Sequence, residues 1–290
     1  MDLRSLKDLD VGRVNRIRAE LESGLPFQAA HINLDDETDP SAILSKTKCS
    51  LTIVSDRHSY SNQDRIFPIN QDENTVFAKY VFQDSIKSKY SRVADLCTGS
   101  GVIAMALAKA GAKEVVATDI NIRSKGFIDK NNEINGLSVK FIESDLFDSL
   151  SGRYDKITIN PPFMPAPDST FPLHAQGGKF GVEKVVQPFF RECWEHINKG
   201  GCIQGVFHSF ANDDSDTVLD LLKGLPKGWS YEICHVFPVK NVPVELYTTS
   251  FAEQKGYKSW ISQIKKREFR YMGFARKLVV VVEVCGSSAV

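Results

Sequence analysis

Between Val93 and Asp119 an apolar strand runs into an acid, a glycine turn, an alanine-rich helix and a second strand that again ends on an acid. Few folds accept that order. Val93-Ala94-Asp95-Leu96 leads into Thr98-Gly99-Ser100-Gly101, and Val102-Ile103-Ala104-Met105-Ala106-Leu107-Ala108 continues with the character of a helix. Gly99 and Gly101 let the backbone approach a ligand where a Cβ would collide. The helix start presents N–H groups that have no partner inside the helix. Val115-Val116-Ala117-Thr118 then closes on Asp119, about twenty residues after the turn. At this spacing a carboxylate accepts from ribose hydroxyls in α/β nucleotide folds.

Two nucleotides compete for such a cradle. A dinucleotide site wants a third glycine where Ile103 stands, and it has no use for Asp95. In enzymes that bind S-adenosylmethionine (SAM), an acid at that strand end hydrogen-bonds the amino-acid part of the cofactor. A glycine turn that binds nothing is the third reading. Further along, Val139-Lys-Phe-Ile-Glu-Ser-Asp145-Leu146-Phe147 predicts a third strand closing on an acid, with Asp145 placed to accept from an adenine amino group. A fourth strand, Asp155-Lys-Ile-Thr-Ile159, delivers Asn160-Pro161-Pro162-Phe163.

That tetrapeptide has a chemistry of its own. An amide or aromatic amine is a poor nucleophile because its lone pair is delocalised. The Asn160 side-chain carbonyl can accept one N–H and the Pro161 backbone carbonyl another, fixing the nitrogen with its lone pair aimed at an electrophile. The prolines stiffen the backbone, and Phe163 can stack on the planar group. Acceleration would then come from positioning and electrostatics, not from a strong base.

Cradle, strand-end acids and tetrapeptide together resemble the class I SAM-dependent methyltransferases. Within them the chain is similar to the Asn-Pro-Pro-aromatic branch, which includes release-factor glutamine methyltransferases and RNA or DNA amino-methyltransferases. The resemblance covers residues 50–290. It implies a Rossmann-like α/β fold with a seven-stranded sheet, helices on both faces and an antiparallel last strand, for which Leu278-Val-Val-Val-Val-Val-Glu283-Val is suited. It also implies SAM as the cofactor, held by Asp95, Cys97, Thr98, Gly99, Gly101, Asp119, Ile120, Asp145, Leu146 and Asn160. Asn160, Pro161 and Phe163 form the implied acceptor site. Release-factor members usually carry Tyr where this chain has Phe163, and nucleic-acid members accept Phe. The loop that follows would wall the pocket, and its His174 reads as solvated rather than as a base.

Composition narrows the partners. Lys+Arg and Asp+Glu both number 36, which disfavours salt-driven nucleic-acid binding as the main source of affinity. No apolar run reaches membrane-spanning length. The six cysteines lack metal-type spacing, so reduced thiols, a cytoplasmic location and no bound metal are expected. Residues 1–85 read as a small α+β cap for substrate recognition, and 86–290 as the SAM-binding catalytic domain. In the cap, Leu3, Leu6, Leu9, Val14, Ile17 and Leu21 outline a helix. Residues 31–47 read as loop, 51–54 and 65–69 as the two arms of a hairpin, and 72–81 as the start of a helix. The 237–277 insertion carries Tyr247, Tyr257, Trp260 and Lys265-Lys266-Arg267. These read as an exposed helix facing the core with Trp260, Ile261 and Ile264, in preference to a single-strand nucleic-acid dock.

The expected activity is SAM-dependent N-methylation of an amide or amino nitrogen. A protein glutamine or a small molecule stands ahead of an RNA base as acceptor. Two alternatives share the same cradle: internal displacement that releases methylthioadenosine, and SAM binding without catalysis.

Overall fold

The computed structural model describes residues 27–35, 49–57, 63–69, 73–164, 172–178, 180–208, 210–212 and 215–235, with short pieces at 242–243, 258, 261–262, 270–271 and 281–286. The expected N-terminal helix and the aromatic and basic residues singled out in 237–277 lie outside them. Ile261 of that insertion is buried.

Strands rich in Val, Ile and Ala run through the centre because both of their faces are covered. In chain order the elements are β1 (Phe27–Asn33), β2 (Ser50–Asp56), α1 (Asn74–Ser88), β3 (Arg92–Leu96), α2 (Val102–Lys109), β4 (Glu114–Asp119), α3 (Arg123–Asn135), β5 (Lys140–Glu143), β6 (Tyr154–Ile159), α4 (Val186–Glu192), β7 (Ile197–Gly205), α5 (Leu219–Lys223), β8 (Trp229–His235) and β9 (Val281–Gly286). The main sheet has seven strands in the order β5-β4-β3-β6-β7-β9-β8. The first five are mutually parallel, and β9 runs antiparallel to both of its neighbours. Phe210–Ala211, Val242–Pro243 and Arg270–Tyr271 form a separate three-stranded ribbon. No helix among the described residues is long and apolar enough to cross a membrane.

The order reverses between β3 and β6, so the ends of these two strands flank a crevice where α/β sheets bind ligands. On one face of the sheet lies a core of α1 and α2 side chains, among them Phe77, Val81, Ile103 and Leu107; on the other, Phe147, Phe189 and Phe207. Each such side chain contributes roughly 1.5–3 kcal/mol through burial. Lys156 in β6 has no exposed side-chain surface and pairs with Asp84 of α1, fastening that helix to the sheet beneath.

The cap differs from expectation, and the reason is local. Residues 51–54 do pair, but with β1, antiparallel from Phe27 opposite Asp56 to Asn33 opposite Ser50. His31, Ile32 and Asn33 therefore belong to a strand and not to a loop. Residues 65–69 form no strand. Their backbone donors go to side chains instead: Ile66 N–H to Asp56 Oδ2 at 2.7 Å and Ile69 N–H to Ser55 Oγ at 3.1 Å. The free edge of β2 is satisfied by two asparagines one helical turn apart on α3. Asn131 exchanges hydrogen bonds with the Val54 backbone at 2.8 and 3.1 Å, and Asn135 does the same with Thr52 at 2.9 Å. Side-chain amides thus complete a ladder that an edge strand otherwise leaves open.

Gly101 shows how tightly the cradle is built. Its φ is +83°, and a Cβ there would lie 2.1 Å from Ile128 Cδ1. We expect Gly101→Ala to lower stability by about 1–3 kcal/mol through left-handed backbone strain and overpacking. An unchanged urea midpoint with an unchanged slope would show that the close approach is dispensable.

Candidate active site

The crevice opens into a cavity of about 530 Å³, lined by Asp95, Gly99, Asp119, Asp145, Asn160 and Phe163 among others. That size suits a small ligand. All ten residues expected to hold the cofactor lie on this wall except Gly101, which starts α2 immediately behind it.

Asp95 ends β3 and is 1% exposed. Thr98 Oγ1 donates to its Oδ2 at 2.6 Å and Thr158 Oγ1 donates to its Oδ1 at 2.7 Å. These two hydroxyls favour the anion, but burial disfavours it more, and the Asp95 carboxyl is pushed up to about 7. Asp119 ends β4. Its Oδ2 accepts from Gly99 N–H at 2.8 Å and its Oδ1 from Asn121 N–H at 2.9 Å. Each oxygen keeps a lone pair for a further donor. Burial raises this carboxyl as well. Cys97, in the turn at φ 54°, is also raised, first by burial and then by Asp119, Asp95 and Asp145, so its thiol stays protonated. Leu146 is held at φ 42°, left-handed for a residue with a Cβ, with its carbonyl accepting from Ser144 Oγ at 3.0 Å. Ile120 leaves 56% of its surface exposed on the cavity wall, an apolar platform for a planar ring.

The far wall holds the tetrapeptide. Asn160 Nδ2 donates to Glu73 Oε1 at 3.1 Å. Asn160 Oδ1 is buried and receives no hydrogen bond among the described residues. A buried carbonyl without a donor costs roughly 1–3 kcal/mol, so this oxygen is suited to an N–H brought by a ligand. Pro161 and Pro162 line the cavity beside it. Phe163 lies flat on His208, with ring centroids 3.5 Å apart and planes at 7°, which leaves one ring face for an acceptor. His208 Nε2 in turn lies 3.3 Å from Glu73 Oε2.

His174 differs from expectation: it is half-buried and held by neighbours rather than free in solvent. It packs on Phe67 with centroids 5.5 Å apart, accepts from Arg65 Nη2 at 3.1 Å through Nε2, and donates from Nδ1 to the Arg65 carbonyl at 3.2 Å. Burial and then Arg65 push its pKa down to about 4. Neutral and engaged at both nitrogens, it orients Arg65 on the cavity wall and is not poised as a base.

Glu73 and His208 escaped the sequence reading. An acid just before a helix looks like a capping residue, so Glu73 carries no separate signal. His208 had a faint one: a polar ring that follows the buried stretch from Cys202 to Phe207.

Comparison with known proteins agrees with this fold. The methyltransferase small domain family matches residues 77–222. A protein of Methanocaldococcus jannaschii, described as a candidate N5-glutamine methyltransferase, is 32% identical over 158 residues, which are 53% of this chain and 78% of that protein. The release factor glutamine methyltransferase of Deinococcus radiodurans is 40% identical over 122 residues, 39% of this chain and 44% of that protein; this chain therefore spans less than half the length of that relative. Among solved structures, the Thermus thermophilus 16S rRNA N2 G1207 methyltransferase bound to AdoMet and guanosine superposes with a TM-score of 0.50 at 16% identity, over 91% of this chain and 51% of that one. Strand order, strand-end acids and the match over residues 77–222 converge: the chain belongs to the methyltransferase small domain family of SAM-dependent enzymes.

Proposed function

We propose that this enzyme methylates the side-chain amide nitrogen of glutamine in a protein acceptor. Asn160 Oδ1, which receives no hydrogen bond among the described residues while Glu73 occupies the amide's other end, carries the reading. The two relatives named for glutamine methylation support it.

SAM fits the cradle on several counts. Asp95 is buried where a cationic amino group would offset the cost of its ionisation, Asp119 offers spare lone pairs to a ribose, and exposed Ile120 offers an apolar face to adenine. When bound there, SAM supplies an electrophilic methyl on a sulfonium. The chain's own residues then have two tasks. Asn160 Oδ1 and the Pro161 carbonyl accept the two N–H bonds of a primary amide, fixing the nitrogen's orientation. The free face of Phe163 packs on the amide plane and keeps water off it. A primary amide has both N–H bonds to give, as the clamp requires.

The experiment is to incubate the protein with isotopically labelled methyl-SAM and a total extract, then locate the label by peptide mass spectrometry. Label on glutamine side chains of protein is expected. Label confined to RNA or to small molecules would assign a different acceptor, and methylthioadenosine formed without any acceptor would remove the methyl-transfer reading altogether.

A further inference from the structure

The clamp works only if Asn160 presents oxygen, and not NH2, to the acceptor. An asparagine amide is nearly symmetric in shape, so something must break the tie. Among the described residues the Asn160 side chain makes one hydrogen bond, from Nδ2 to Glu73 Oε1, 3.1 Å long. An ionised carboxylate accepts and cannot donate, so it tolerates only the NH2 end of the amide. Glu73 is 9% exposed and comes from the chain just before α1, far from β6 in sequence but packed against its end. Its second oxygen faces His208 Nε2 at 3.3 Å, and His208 covers one face of Phe163. One carboxylate therefore touches the neighbours that fix both sides of the acceptor site.

We propose that Glu73 is a positioning residue for methyl transfer: it selects the Asn160 rotamer that keeps Oδ1 without a donor among the described residues and, through His208, sets the plane of Phe163. The inference rests on the amide-clamp reading but not on which amide is methylated. Glu73 touches neither acceptor nor cofactor in this role. Its loss should therefore appear in kcat and leave SAM affinity alone.

Glu73→Ala frees the Asn160 amide to turn, and misplacement on that scale lowers kcat about a hundredfold. SAM affinity by calorimetry stays within about threefold of wild type, a difference below one tenfold step in binding free energy. Glu73→Gln keeps an acceptor oxygen within reach of Nδ2 but can also donate, so it no longer forbids the turned amide and recovers only part of the lost rate. In the Asn160→Ala background, Glu73→Ala costs far less than it does alone, because the contact with Asn160 is already gone and only the one through His208 is left to lose. Equal loss in the Ala and Gln variants, additive losses, or a fall in SAM affinity parallel to kcat would each overturn the proposal.

An acceptor-free readout separates this from the choice of glutamine. In ¹⁵N-labelled wild-type protein, the Asn160 side-chain amide protons are expected to be slowed in solvent exchange and shifted by their charge-assisted bond, and Glu73→Ala abolishes both effects. If those resonances do not respond, the proposal fails whatever the acceptor is. If they respond while no glutamine is methylated, only the acceptor assignment falls.

Discussion

Asn160→Ala is expected to lower kcat about a hundredfold to a thousandfold, the range seen when one preorganised hydrogen-bonding group is removed from a reacting centre. SAM affinity should fall far less than kcat, because Asn160 is one of ten residues expected to hold the cofactor and the cradle at Asp95, Gly99 and Asp119 is built by other strands. The size of the loss follows from what the side chain does: Oδ1 is buried, receives no hydrogen bond among the described residues and is kept in place by Glu73. Asn160→Asp should be no rescue. It would set a second carboxylate against Glu73 where the amide now donates, and like charges at hydrogen-bond distance in a buried site repel strongly. Steady-state kinetics with calorimetry of SAM binding decides the matter. An alanine variant that retained wild-type kcat would show that the nitrogen is oriented by something other than the Asn160 side chain.

The sequence spoke clearly where the chemistry is contiguous and fell silent where it is assembled across the fold. Asp95, Gly99, Gly101 and Asp119 are readable because one strand, one turn and one helix fix their spacing before any tertiary contact forms. Asn160 is readable because its two prolines mark it. Glu73 meets Asn160 across 87 residues of sequence, and no local pattern reports that meeting. The cap illustrates a second kind of silence. Residues 65–69 have the apolar character of a strand, but Asp56 and Ser55 take the backbone donors a ladder would need, and β2 turns to Phe27–Asn33 for its partner. His174 departs from its expected exposure for a third reason. Exposure is set by what packs against a loop, here Phe67 and Arg65, and not by the polarity of the loop itself.

Asp95→Asn should stabilise the ligand-free protein while weakening its hold on SAM. Asp95 has a folded pKa raised from 3.8 to about 7, chiefly by burial, so the folded state binds its proton more tightly than the unfolded chain does. The sign follows. Between about pH 4 and pH 7 stability falls as pH rises, and above pH 7 the full cost of keeping a buried anion is present, on the order of 4 kcal/mol. Asparagine carries no charge to desolvate. Its amide can donate to one of the Thr98 and Thr158 hydroxyls and accept from the other, so the pair stays satisfied. A higher melting temperature is therefore expected for the variant at pH 8, with the gap to wild type narrowing as pH falls toward 5. Ligand binding should run the other way. A bound cationic amino group favours the ionised carboxylate, so wild-type affinity for SAM should weaken progressively below pH 7, and the asparagine variant should bind weakly with no such slope. Calorimetry across that range, in buffers of different ionisation enthalpy, would count the proton released on binding. A wild type that binds SAM equally well at pH 5.5 and pH 8 would mean that Asp95 does not meet the cation, and the strand-end acid would lose its assigned role.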